Sequence, residues 1–121
     1  MIVDDSAMSR RIMKDILSSG GHAVIESDEG MAALEMYFLQ KPDLVMLDLI
    51  MRGMYGLEVL KKIKEIDNNA RVIVASADIQ SSTRQLARDG GAIGFINKPF
   101  AREDVLAAVE TALKATDNAS H

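Results

Sequence analysis

Apolar runs and helical patterns alternate along the whole chain. Met1-Ile2-Val3-Asp4 reads as a very short strand. From Ala7 to about Ser18, Met8, Ile12 and Ile16 form one apolar stripe with Met13 and Leu17 beside it, which predicts an amphipathic helix. Ser6 is placed to cap that helix and Gly20-Gly21 to end it. His22 to Glu26, centred on Val24, is the second strand candidate. Glu29 to about Gln40 is the second helix, with Met31, Leu34, Tyr37 and Phe38 at helical spacing, and Pro42 breaks it. The third strand is Leu44 to Asp48. Leu57, Leu60, Ile63 and Ile66 mark a third helix, Arg71 to Ser76 a fourth strand, and Gln80 to about Asp89 a more polar fourth helix stopped by Gly90-Gly91. Ala92 to Asn97 is the fifth strand, halted at Lys98-Pro99, and Val105, Leu106, Val109 and Leu113 define the last helix.

Strands this apolar are suited to burial on both faces, so five strand-helix units predict an α/β, doubly wound parallel sheet with five helices. Right-handed crossovers bring every strand's carboxyl end to one edge, where ligands bind in open sheets of this kind. The 121 residues suffice for one domain, expected over residues 1–115, with 116–121 as a polar tail.

Composition narrows the function. Hydrophobic content of 48% and charged content of 26% are those of an ordinary globular domain. A net charge of −4 gives no electrostatic reason for nucleic acid or an anionic membrane as the main partner. The absence of cysteine removes disulfides, thiolate metal sites and cysteine nucleophiles. No apolar run reaches the length of a membrane span and no signal-peptide pattern opens the chain, so the expectation is a soluble, cytoplasmic domain.

The strand ends carry the chemistry. The first strand delivers Asp4 and Asp5, the third Asp48, the fourth Ser76 and the fifth Lys98. One strand-end aspartate is ordinarily a helix cap or turn former. Complementary groups on four strands are not explained that way. Like charges about 4 Å apart repel by roughly 4 kcal/mol at an effective dielectric near 20, so three carboxylates require a cation, a raised pKa, or both. Oxygen donors without His or Cys suit Mg²⁺ or Mn²⁺. Lys98 opposite a divalent cation makes a slot for a phosphoryl group, with the Ser76 hydroxyl as a further contact and Asp48 as a carboxylate nucleophile.

These pieces resemble the receiver domain of two-component response regulators, and the chain is similar in size to single-domain chemotaxis regulators. The matching stretches are Val3–Ser6, Met46–Met51, Gly56–Leu60, Val72–Ala77 and Gly94–Phe100. The resemblance implies strand order 2-1-3-4-5. It implies a phosphorylation-activated switch in which Asp48 accepts a phosphoryl group from a sensor histidine kinase or histidine phosphotransfer protein. The divalent ion is then held by Asp4 or Asp5, Asp48 and the Ile50 carbonyl. Ser76 matches the hydroxyl switch position, Phe95 the aromatic switch position, and Lys98 the site lysine, whose bond to Pro99 is cis in relatives. Readout is expected on the face formed by the fourth helix, fifth strand and fifth helix, through a downstream protein, by a monomer or a phosphorylation-dependent dimer. No DNA-binding or catalytic domain is expected in the residues after Leu113, unless the chain is one piece of a larger protein.

Several positions depart from the family pattern or vary within it. Arg52 stands where relatives commonly have Pro, and Tyr55 where they have Asp. Ile50 and Asp78 occupy the two positions that tune water access to the acyl phosphate. Two other functions compete with the switch. A phosphoaspartyl phosphatase or transferase needs an acid where Ile50 stands, and a receiver-like interaction module would work without phosphorylation. Among the remaining features, Met8, Met31, Met36 and Met46 are expected in core packing, Met51 and Met54 in the loop beside the site. Lys61, Lys62, Lys64 and Glu65 are expected on a wet helix face. His22 has no partner for a metal site.

Overall fold

The computed structural model describes residues 1–50, 55–77 and 81–119, with the side chains of 81 and 115–119 excepted. Its strands are β1 (Ile2–Val3), β2 (Glu26–Ser27), β3 (Val45–Leu47), β4 (Val72–Ser76) and β5 (Gly94–Asn97). Between and after them run α1 (Ala7–Ser19), α2 (Gly30–Gln40), α3 (Gly56–Ile66), α4 (Ser81–Asp89) and α5 (Arg102–Ala119). All strand pairs are parallel, in the order β2-β1-β3-β4-β5. The doubly wound fold and the strand order both agree with the reading of the sequence. The helix α5 extends into the stretch expected as a tail.

Alternation along the strands divides the core into two layers. Val3, Val45, Leu47, Val72 and Val74 face a cluster closed by Ala33 and Tyr37 of α2, Leu60 and Ile63 of α3, and Ala87 of α4. Ile2, Met46, Ile73, Ala75 and Ile96 face the opposite cluster, closed by Met13 and Leu17 of α1 and Val105, Val109 and Ala112 of α5. With β1, β3 and β4 buried on both faces, their near-continuous apolar sequences follow directly.

Local chemistry ends the helices where the sequence suggested. The Ser6 side chain accepts the Ser9 N–H at the start of α1. Gly21 and Gly91 take positive φ, 87° and 105°, just past α1 and α4, where a side chain would be strained. Lys41 closes α2 in the left-handed region, its N–H bonded to the Tyr37 carbonyl, immediately before Pro42. Tyr37, buried in the core, keeps its hydroxyl satisfied by donating to Asp67 Oδ2 at 2.8 Å.

Four expectations need correction. Met8 and Ile12 are exposed, and α1 turns Met13 and Leu17 inward instead. The inward position nearer the site belongs to Arg10, whose guanidinium bonds the Asp4 carbonyl at 2.8 Å and Glu26 at 3.1 Å. Met31 is exposed as well, along with Phe38 and Leu39, because α2 is apolar on nearly every side and only Gly30, Ala33 and Tyr37 are buried. Met36 and Met46 do pack in the core. The second strand shrinks from the whole of His22–Glu26 to Glu26–Ser27. It is an edge strand whose one partner, β1, spans two residues, although Ile2 N–H also reaches the Ile25 carbonyl at 2.8 Å. Lys61 and Lys62 are exposed as expected. Lys64 instead folds its ammonium onto the carbonyls of Asn68 at 2.6 Å and Ala70 at 3.1 Å, closing the turn after α3. Met51 and Met54 lie outside the described residues.

Candidate functional site

Four strand termini meet at the carboxyl edge of the sheet. Val3 pairs with Leu47, so Asp4 and Asp48 leave neighbouring strands at the same level. Leu47 in turn pairs with Val74, and Ser76 with Asn97, which brings Ser76 and the residue before Lys98 to that edge. The Lys98 N–H donates to the Ser76 carbonyl at 3.0 Å, beyond the last ladder pair of β4 and β5. The Lys98-Pro99 bond is cis.

Asp4, Asp48 and Ser76 are buried, Lys98 and Phe95 are half-buried, and Asp5 is exposed. One carboxylate oxygen from each of Asp4, Asp5 and Asp48 lies within 4.8 Å of the others. Lys98 Nζ spans two of them, 2.9 Å from Asp4 Oδ2 and 3.4 Å from Asp48 Oδ2. The second oxygens are held by backbone: Asp4 Oδ1 accepts the Ser6 N–H at 2.9 Å, and Asp48 Oδ1 accepts the Ile50 N–H at 3.2 Å. Phe100 sits beneath the lysine, its ring centroid 5.9 Å from Nζ. Ile50 itself is 62% exposed, so an apolar side chain stands open to solvent two residues past Asp48. Asp78 lies outside the described residues.

The electrostatics follow from this crowding. Burial raises the Asp48 pKa, and the Asp4 charge raises it further, against the Ile50 N–H and Lys98, which favour the carboxylate. For Lys98, burial alone would pull the ammonium down. The hydrogen bonds and charges of Asp4 and Asp48 outweigh it and hold the pKa above the usual lysine value. The site is therefore a buried cluster in which negative charge exceeds positive. Its donors toward a cation are all oxygens, as a hard divalent ion requires.

Two contributors were not legible as site residues. Arg10 fixes the Asp4 carbonyl. Gly56 is at the close approach of α3 to the strand end: a Cβ there would overlap the Asp48 carbonyl oxygen and Leu49 Cα. This is why a glycine follows the aspartate at that distance, and helical periodicity carries no trace of it.

The comparisons agree with this geometry. The family model described as the response regulator receiver domain matches residues 1–110. The chemotaxis protein CheY of Bacillus subtilis is 44% identical over 114 residues, which cover 93% of this chain and 95% of that one. The sporulation initiation phosphotransferase F of the same organism is 33% identical over 118 residues, covering 98% and 95%. Among solved structures, the receiver domain of NtrX from Brucella abortus superimposes with a TM-score of 0.89 at 31% identity, covering 93% of this chain and 96% of that one. The chain belongs to the response regulator receiver domain family. Receiver domains are phosphoacceptors of two-component signalling and bind Mg²⁺ at an acidic aspartate cluster, and in this chain Asp4, Asp5 and Asp48 form an acidic group. Among the described residues, no helix is long and apolar enough to cross a membrane.

Proposed function

We propose that this chain is a cytoplasmic phosphorylation switch in which Asp48 is the phosphoacceptor. The observation that carries the reading is a buried aspartate at the end of the central strand that shares one lysine ammonium with a second buried aspartate. A carboxylate oxygen of Asp48 attacks phosphorus, and the P–N bond of a phosphohistidine on a sensor kinase or phosphotransfer protein breaks. The imidazole leaves with the bonding electrons, and an acyl phosphate remains on Asp48. Asp4, Asp5, Asp48 and the Ile50 carbonyl are the ligands assigned to Mg²⁺ or Mn²⁺, which when bound supplies charge neutralisation for the phosphoryl oxygens. Lys98 holds an oxygen of the incoming group by its ammonium, and Ser76 holds another by its hydroxyl. Ile50 and Asp78 tune how water reaches the product.

Readout goes through Ser76 and Phe95 to a downstream protein at the face made by α4, β5 and α5. The domain is assigned to residues 1–115, acting as a monomer or as a dimer formed on phosphorylation. Incubation with acetyl phosphate and Mg²⁺ adds one phosphate mass to the wild-type chain, and Asp48→Asn abolishes it. Stoichiometric labelling of the variant would refute the assignment of Asp48. A wild-type chain that takes no phosphate would instead leave an interaction module working without phosphorylation.

A further inference from the structure

Phe95 of β5 packs at the margin of the core beneath α2, α3 and α4. Two guanidiniums of α4 lie over its ring, Arg84 with Cζ 5.2 Å from the centroid and Arg88 at 5.5 Å. Four residues apart, they come from successive turns of one helix face. Among the described residues neither has an ion pair, and Arg84 Nε is buried without a hydrogen-bond partner. A guanidinium normally leaves no donor unpaired when a carboxylate is within reach. Among the described residues the aromatic face is what this guanidinium meets, and its Nε goes unpaired. Otherwise α4 is thinly anchored: Ala87 is its one buried residue among those described. The ring thus packs against the core on one side and meets the two guanidiniums of α4 on the other. The nearest acid along the helix, Asp89, accepts Gln85 Nε2 at 2.8 Å, and among the described residues no ion pair joins it to either arginine.

We propose that Arg84 and Arg88 are positioning residues that bracket Phe95 and set how readily the switch turns. The proposal rests on Phe95 being the aromatic reporter, and it adds what opposes its movement. Swinging the ring toward Ser76, two pairs further along the β4–β5 ladder, breaks both cation–π contacts and frees α4. Leaving the bracket also releases the unpaired Arg84 donor to solvent, so the resting arrangement is opposed as well as held. Two packings close in energy are what a small chemical signal can exchange. Each contact favours the observed packing by a factor of about two to five, and the pair together by about 5–30-fold.

The test uses the full chain labelled with 4-fluorophenylalanine, the Phe95 resonance being assigned with Phe95→Leu. It compares wild type, Arg84→Met/Arg88→Met, which keeps the apolar stems, and Arg84→Lys/Arg88→Lys, which keeps the charges. Spectra are taken without additive and through a titration of beryllofluoride with Mg²⁺, and thermal melts confirm folding. The Met variant is expected to shift the free Phe95 resonance and lower the beryllofluoride midpoint by about 5–30-fold, with the Lys variant recovering most of the wild-type behaviour. A single Arg88→Met chain, should the double variant not fold, is expected to give a smaller change of the same sign. If wild type responds to beryllofluoride and the Met variants match it in both readouts, the bracket is overturned while the Phe95 switch stands. If wild-type Phe95 does not respond at all, the switch reading falls and the proposal with it.

Discussion

Replacing the central aspartate should make the cation-free protein more stable. At separations up to 4.8 Å, each carboxylate pair in the cluster repels by about 3.5 kcal/mol at an effective dielectric near 20. Lys98, 3.4 Å from Asp48 Oδ2, returns about 5 kcal/mol on the same scale. Asp48 faces two carboxylates and one ammonium, and although solvent discounts the exposed Asp5, burial adds a further penalty to the charge. Asp48→Asn keeps an acceptor for the Ile50 N–H and leaves Lys98 its shorter bond to Asp4, at 2.9 Å. The variant should be stabilised by about 2 kcal/mol, raising Tm by roughly 6–10 °C for a domain of this size. Calorimetry in EDTA at pH 7 measures it. The pH dependence has a fixed sign. Because the folded pKa of Asp48 is raised above the ordinary 3.8, the stability tied to its proton is complete below that value and is lost as pH rises through the folded pKa. The variant's advantage should therefore be small near pH 3.8 and reach a plateau toward neutrality. Added Mg²⁺ should narrow the gap by stabilising wild type more than the variant. A Tm lowered at pH 7 in EDTA would mean that the Lys98 attraction dominates, and the reasoning would fail.

Two other outcomes follow from neighbouring residues. Asp4→Asn/Asp5→Asn removes two of the three clustered charges, so Mg²⁺ affinity measured by titration calorimetry should fall by more than about tenfold; unchanged affinity would exclude a metal site here. Gly56→Ala should lower stability in urea by about 1–3 kcal/mol, because its Cβ meets backbone of Asp48 and Leu49 that cannot yield as a side chain would; an unchanged midpoint would mean that α3 moves away freely.

The site was legible because its chemistry stands at strand ends, and a strand end is a position that apolar runs and breakers reveal together. Asp4, Asp48, Ser76 and Lys98 each close such a run, and parallel pairing carries all four to one edge. What the pattern could not reveal depends on which helix positions the sheet meets. On α1 the stripe of Met8 and Ile12 lost to one carrying Met13, Leu17 and a polar Arg10, since an arginine can serve an inward position when a strand-end carbonyl awaits it. On α2 apolar residues lie all round, so periodicity could not choose Ala33 and Tyr37 over Met31 and Phe38. Gly56, Arg84 and Arg88 act through contacts made across the fold, and their local sequence spacing is that of any glycine at a helix start or any charged pair on a wet face.

A lysine shared between two aspartates also explains how a charge at one edge could be felt on another strand. Lys98 follows β5 directly, and its N–H is bonded to the carbonyl of Ser76, so the ammonium and the hydroxyl sit on segments that cannot move independently by much. Three residues before Lys98 on β5 stands Phe95, with α4 held over it by two guanidiniums. Any group that supplies new oxygens beside Asp48 competes for the Lys98 ammonium with Asp4 and Asp48 at once. Lys98 is the ammonium that Asp4 and Asp48 share, so a change in where it rests is felt by both carboxylates. The segments joined to that ammonium are β5 and, through the Lys98 N–H, Ser76, beside a helix in which Ala87 is the one buried residue among those described.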